Sequence, residues 1–250
     1  MDIRRYEELG STNDECARLA MAGAPSGTAV VARRQTGGRG RLSRPWLSLD
    51  GDNLFVSVLH HTRLPVDRVS GLTLEIGLAI AEALDEVPGL SGAVRLKWPN
   101  DMHLDGRKLG GILCELVEVE GGRAVIVGVG VNVGARSLPE PIAASATSLA
   151  LAMDVPPSLA QVEALVVGAV GEALARYELA GRPDVDRWLL RASRVGAVGG
   201  RVREVASGRS ATVKGIASDG ALLLIWDGAE RPEPFIAGEL VAIPDGDGGG

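Results

Sequence analysis

The chain has 250 residues, 46% of them hydrophobic and 3% aromatic, with a formal net charge of −6. That length and apolar content suit one folded core with a small second module, and the acidic balance excludes a polycation that binds any phosphate backbone. There is no apolar run of signal-peptide length near Met1 and no later stretch of the roughly 18 uncharged apolar residues that a membrane span needs, so the expectation is a cytoplasmic protein.

In chain order, "DIRRYEEL" reads as a strand and "STNDECARLAMAG" as a helix, with Ser11 and Asp14 or Thr12 and Glu15 forming a capping-box pattern at its start. The strand "TAVVAR" runs directly into a loop carrying Arg33, Arg34, Arg39, Arg41 and Arg44. No Asp or Glu occurs from Cys16 to Leu49, so the loop concentrates positive charge within an acidic chain and reads as an anion site. "NLFVSVLHH" alternates like a half-buried strand, and "DRVSGLTLEIGLAIAEALDEV" has a helical period, an acidic first turn and enough apolar content to require burial.

Residues 93–134 read as successive strands, with hairpin turns at Asp105-Gly106 and Gly121-Gly122. A two-residue turn at 105–106 sets His103 opposite Lys108 and places Asp101, His103, Lys108 and Gly110 on one face. A carboxylate and an amine then share a surface with a glycine, although an ordinary surface ion pair would produce the same pattern. Helices follow over 158–193. From Val195 the composition turns to short strands separated by turn residues, which suggests a β-barrel module of about 50 residues packed on the first domain. The terminal "DGDGGG" has no apolar side chain to offset its ordering entropy and reads as a frayed tail.

Several familiar chemistries are excluded. Cys16 and Cys114 stand in no metal-ligand spacing and read as buried thiols; His60, His61 and His103 fit surface or capping roles better than a metal site or a triad. In "GVGVNVG" at 128–134, Val133 occupies the position where a dinucleotide fingerprint needs its third glycine, and neither a P-loop nor a nucleophile elbow occurs. An arginine loop with Trp46 beside it could stack a base, but no wider basic strip or aromatic platform supports nucleic-acid binding.

Taken in order, "STN" at 11–13, "RRQTGGRGRLSRPW" at 33–46, "KWPND" at 97–101, "GRKLGGILCE" at 106–115 and "GVGVNV" at 128–133 resemble the biotin protein ligases, over essentially the whole chain. "VKGIASDGALLLI" and "GEL" are similar to that family's small C-terminal barrel. The resemblance implies an α+β fold: a mixed, mostly antiparallel sheet flanked by helices, of the class II synthetase-like kind, with a small C-terminal SH3-like β-barrel. It also implies a catalytic domain over 1–193, the barrel over 194–245 and a disordered tail over 246–250, in the monofunctional type that lacks an N-terminal DNA-binding domain.

The activity implied is ATP-dependent: biotin and MgATP form biotinyl-5'-AMP and pyrophosphate, and the biotinyl group passes to a lysine of a biotin carboxyl carrier protein. ATP and Mg²⁺ are then co-substrates and biotin the substrate, with no tightly bound metal, DNA or membrane partner, in a monomer or weak homodimer. By the same resemblance Lys108, Arg39, Arg41 and Asp101 are catalytic. Ser11, Thr12, Asn13, Gln35, Gly38, Arg39, Gly40, Arg41, Lys108, Gly110, Gly111 and Ile112 bind biotin. Arg41, Arg44, Trp46, Lys97, Asn100, Asp101, Lys108, Asn132 and Lys214 bind ATP, and Asp101 is a candidate Mg²⁺ ligand. Leu42 and Ser43 depart from the family pattern, which commonly has a basic residue and a glycine there. The alternatives are a lipoate or octanoate ligase or transferase of the same superfamily and a non-catalytic ligand- or nucleic-acid-binding protein.

Overall fold

A computed structural model describes residues 1–244; the expected tail over 246–250 lies outside the described residues. Seven strands form the main sheet: β1 (Asp2–Leu9), β2 (Thr28–Gln35), β3 (Leu54–Thr62), β4 (Arg95–Lys97), β5 (Asp101–Leu104), β6 (Arg107–Val119) and β7 (Gly122–Val131). Their order is β1-β2-β3-β7-β6-β5-β4, and only the β1–β2 pair is parallel. Helix α1 (Thr12–Met21) connects the parallel pair, and α2 (Val69–Leu84) follows β3. After β7 come two short helices, α3 (Glu140–Ala143) and α4 (Leu149–Ala152), then α5 (Leu159–Ala180) and α6 (Val185–Arg191). Ser158 caps α5 by accepting from Gln161 N at 3.2 Å, and Gly181, at φ +65°, ends it in the left-handed conformation that glycine adopts without a Cβ penalty.

The two faces of the sheet differ. Along β7 the odd positions Val125, Val127, Val129 and Val131 enter a large core with α2 and α5, where each fully buried aliphatic side chain contributes roughly 1.5–3 kcal/mol. The even positions Ala124 and Ile126 pack with Cys16, Leu19 and Ala20 of α1, and the same face then continues as Gly128 and Gly130. Those glycines leave a stretch of sheet without side chains.

Two register expectations need correction. The turn at Asp105-Gly106 has both φ angles positive, +51° and +74°, and sets His103 opposite Lys108 as expected. A bulge at Leu109 then shifts the pairing, so Met102 faces Gly110 and Asp101 faces Gly111. Gly110 therefore turns to the core, where an added Cβ would meet Met102 Cε at 2.7 Å, and Gly111 takes its place beside Asp101. In the next hairpin Val119 pairs with Gly122, so the turn is Glu120-Gly121.

The remaining strands, β8 (Arg201–Glu204), β9 (Ser210–Ile216), β10 (Leu222–Trp226), β11 (Glu233–Phe235) and β12 (Leu240–Ala242), form a five-stranded antiparallel, barrel-like module in the order β11-β10-β9-β8-β12. Trp98 ties it to the main sheet: its Nε1 donates to Gly220 O at 2.9 Å, and its ring lies 5.6 Å from that of Phe235, which in turn meets Trp226. No helix among the described residues is long and apolar enough to cross a membrane.

Candidate active site

A cavity of about 220 Å³ lies on the glycine face of the sheet, walled by the start of α1, the end of β2, the arginine loop, the β5–β6 hairpin, β7 and residues 238–240. At one end the groups are neutral and already ordered. Gln35 Oε1 accepts from Thr12 N at 2.7 Å and from Thr12 Oγ1 at 3.0 Å, which fixes the amide and leaves its Nε2 hydrogens without a partner among the described residues. Ser11, 5% exposed, occupies the N-cap position of α1 but makes no side-chain cap bond, so the expected capping box does not form and its hydroxyl is left to the cavity. Asn13 is fully engaged: its Oδ1 accepts from Ser57 Oγ at 2.6 Å, and its Nδ2 donates to Glu115 Oε2 at 2.5 Å and Leu113 O at 3.4 Å.

The other end is cationic. Arg39, Arg41, Arg44, Lys97 and Lys108 line the wall against only two carboxylates, Asp101 and Glu239, a local excess of three positive charges in a chain of net charge −6. Lys108 Nζ lies 2.6 Å from Asp101 Oδ1, a pairing that the hairpin and its bulge enforce. Arg39 forms a fork with Asp14 at 2.7 and 2.6 Å; this contact holds the Asp14 carboxyl below the usual range and the guanidinium above it. Arg44 pairs with Glu239, whose carboxyl is lowered by that contact. Arg41 and Lys97 have no ion-pair partner among the described residues, and burial is the main cause of the lowered pKa of Arg41. A partly buried guanidinium without a counter-ion suits an incoming anion.

Trp46 lies across the glycine floor. A Cβ on Gly130 would fall 2.6 Å from its Cε2 and one on Gly111 would fall 3.1 Å from its Cζ3, so only glycine permits this packing. Lys108 Nζ sits 5.2 Å from the indole centroid, and Trp46 Nε1 is buried without a hydrogen-bond partner among the described residues. The loop reaches this position through an unusual backbone, with Leu42 and Ser43 at φ +56° and +58°, a conformation disfavoured for side-chain-bearing residues. The cysteines are poor nucleophiles here: burial pushes the Cys16 thiol up to about 12 and that of Cys114 up to about 11.

Most of the site residues expected from the sequence line this cavity, and four do not. Gly110 faces the core, as described. Gly38 lies in the loop behind Trp46, its open side 2.8 Å from Trp46 O. Asn132 is 6% exposed, and its amide donates to Thr147 O at 3.0 Å, fixing the chain after β7. Lys214 is exposed on β9 and away from the wall, at the irregularity between Leu223 and Leu224 in the pairing with β10. Ile112 lines the cavity, but its side chain belongs to the core; it reaches the site through backbone bonds with Asn100 at 2.9 and 3.0 Å.

Sequence reasoning missed Phe55, Gly128, Gly130 and Glu239. The period-two glycines of "GVGVNVG" were a signal for a bare sheet face. Nothing in "GEL" marks Glu239 as a partner for a loop nearly two hundred residues earlier.

The model of the Biotin/lipoate A/B protein ligase family matches residues 9–132, the stretch that contributes most of the cavity wall. A biotin protein ligase from Aquifex aeolicus, solved in complex with biotin and ATP, superposes with a TM-score of 0.80 at 29% identity, covering 97% of this chain and 98% of that one. Residues 9–132 thus carry a biotin/lipoate protein ligase domain. Among curated relatives, the bifunctional ligase/repressor BirA of Bacillus subtilis is 37% identical over 59% of this chain and 46% of its own length. The biotin–[acetyl-CoA-carboxylase] ligase of Mycobacterium tuberculosis is 36% identical over 57% of this chain and 52% of its own length. The chain thus spans about half the length of these curated relatives.

Proposed function

We propose that this protein activates biotin with MgATP and transfers the biotinyl group to a lysine of a carrier protein. The observation that carries the reading is the pair of cations without an ion-pair partner among the described residues, Arg41 and Lys97, set with Lys108 around a glycine floor next to a neutral hydrogen-bonding pocket. The neutral end, Ser11, Thr12 and the Gln35 amide, suits an uncharged polar ring, and the cationic end suits a carboxylate and phosphates.

In the first step a carboxylate oxygen attacks the α-phosphorus, the bond to the bridging oxygen breaks, and pyrophosphate leaves with its Mg²⁺. Two anions must approach and the transition state gathers more negative charge, so preset cations stabilise it. Lys108 would touch both the acid and the α-phosphate, with Asp101 Oδ1, 2.6 Å away, holding its amine in position. Arg39, Gly40 and Arg41 would wrap the nascent mixed anhydride; Lys97, Asn100 and Arg44 would hold the departing phosphates, and Trp46 would pack on the nucleotide side. In the second step the neutral ε-amine of the carrier lysine attacks the acyl carbonyl, an amide forms, AMP departs and one proton is released. Among the described residues no cluster of three potential metal ligands occurs, and Asp101 is already paired with Lys108, so Mg²⁺ fits as part of the substrate, brought by the phosphates.

We assign the chemistry to residues 1–193 and treat 194–245 as a module that completes the wall through Gly238, Glu239 and Leu240. The substrate is tested by mass. Purified protein, MgATP and an apo carrier domain are incubated with biotin, lipoate or octanoate in parallel. A carrier shift equal to one biotinyl group with biotin alone supports the reading; a shift with lipoate or octanoate instead makes the protein a ligase for that acid.

A further inference from the structure

The scheme above gives no role to Glu115 of β6, which lies within reach of Asn13 and Arg39. On β6 the residues that face α1 are Gly111, Leu113, Glu115, Val117 and Val119, so a carboxylate interrupts a face that is otherwise glycine or apolar. Its two oxygens do different things. Oε2 accepts from Asn13 Nδ2 at 2.5 Å, and Oε1 lies 3.5 Å from Arg39 Nη2. A carboxylate only accepts, so it obliges Asn13 to present its amide nitrogen and to turn Oδ1 to the hydroxyl of Ser57, which is completely buried. Ser57 Oγ also lies 2.8 Å from Thr12 Oγ1, whose hydrogen can turn to it because Thr12 holds Gln35 through its backbone N–H. An unbroken chain of polar contacts therefore runs from Gln35 through Thr12, Ser57 and Asn13 to Glu115 and Arg39.

We infer that Glu115 is a positioning residue that sets the acid-recognition end of the cavity and the arginine loop at once, by fixing the Asn13 amide with one oxygen and drawing in Arg39 with the other. The inference rests on the biotin ligase reading for its substrate. Its geometry stands apart from that reading: the amide nitrogen of Asn13 is committed to Glu115 and Leu113, and its oxygen accepts from Ser57.

The test is a reciprocal swap. In Glu115→Gln, whichever way the new amide turns, one of its two contacts becomes donor against donor, either with Asn13 or with Arg39. In Asn13→Asp two carboxylates face each other. In the double variant Asn13→Asp/Glu115→Gln the bond between the two residues forms again with its polarity reversed, the glutamine amide donating to an aspartate that still accepts from Ser57, and the amide oxygen faces Arg39; only the 3.4 Å contact with Leu113 O is lost.

Pyrophosphate release is measured against biotin and against ATP for all four proteins, together with amide hydrogen exchange over 11–13 and 37–41 in ligand-free protein. The expected result is a KM for biotin raised about tenfold or more in each single variant, the size of a lost charge-assisted hydrogen bond. The KM for ATP should move less than about threefold. Exchange should be faster in both segments, and both properties should return toward wild type in the double variant. Unchanged biotin KM and unchanged exchange in Glu115→Gln, or a double variant no better than the worse single one, would overturn the inference while wild-type turnover still upheld the ligase. If the wild type turns over with no acid, the functional reading falls, and the exchange data alone then decide for or against the positioning role.

Discussion

The two faces of the seven-stranded sheet are made by the same strands and do opposite work. On the α2–α5 side β7 presents Val125, Val127, Val129 and Val131 to the hydrophobic core; on the other side it presents Gly128 and Gly130 to Asn13 and Trp46. The first face is built from side-chain volume and holds the fold together. The second is built from missing side chains and holds open a place for ligand. Loss of a methyl group should therefore damage the first face, and gain of one should damage the second.

That contrast can be broken or sharpened by substitution. The largest effect is expected at the cationic end: Lys108→Ala should reduce acyl-adenylate formation by about 10²–10³-fold, with melting temperature close to wild type, because the lysine is half-exposed and contributes charge in place of packing. On the opposite face Leu74→Ala, at a position 1% exposed in α2, should cost about 2–5 kcal/mol in denaturant unfolding and leave the KM for ATP unchanged. Gly130→Val should do the reverse. Its side chain would evict the Trp46 indole and lower turnover about tenfold to a hundredfold, since misplacement of a positioning group by about 1 Å costs that much, while unfolding free energy changes little.

The smallest effect belongs to neither face. Arg191 bonds Asp85 through Nη1 and Nη2, and this contact holds the Asp85 carboxyl below its ordinary value of 3.8. A depressed carboxyl stabilises the fold above its unfolded pKa, and that contribution is lost as pH falls through the folded one. Asp85→Asn should thus cost about 1–2 kcal/mol at pH 7, and its stability should converge with that of wild type as the pH drops below 3.8.

How much of this was legible in the sequence follows the same division. The valine face, the long helices and the Asp105-Gly106 turn announce themselves through period, caps and turn chemistry, which are local properties. The arginine loop was visible as charge without counter-charge over more than thirty residues. The bulge at Leu109 was not, because a one-residue insertion is fixed by partner strands; it moved Gly110 into the core and brought Gly111 to the cavity. Glu115 and Glu239 were invisible as site residues for a related reason. Each acts on a group far away in sequence, Asn13 and Arg44 respectively, and neither spacing nor composition encodes such a meeting.

The proposed reaction joins an acid to the α-phosphate in the glycine-floored cavity. Exchange of labelled pyrophosphate into ATP, measured with the purified protein in the presence and absence of biotin and without any carrier, tests that step alone. Exchange that requires biotin and is abolished in Lys108→Ala is the predicted result. Exchange that is absent with biotin, or that survives the loss of Lys108, would contradict it.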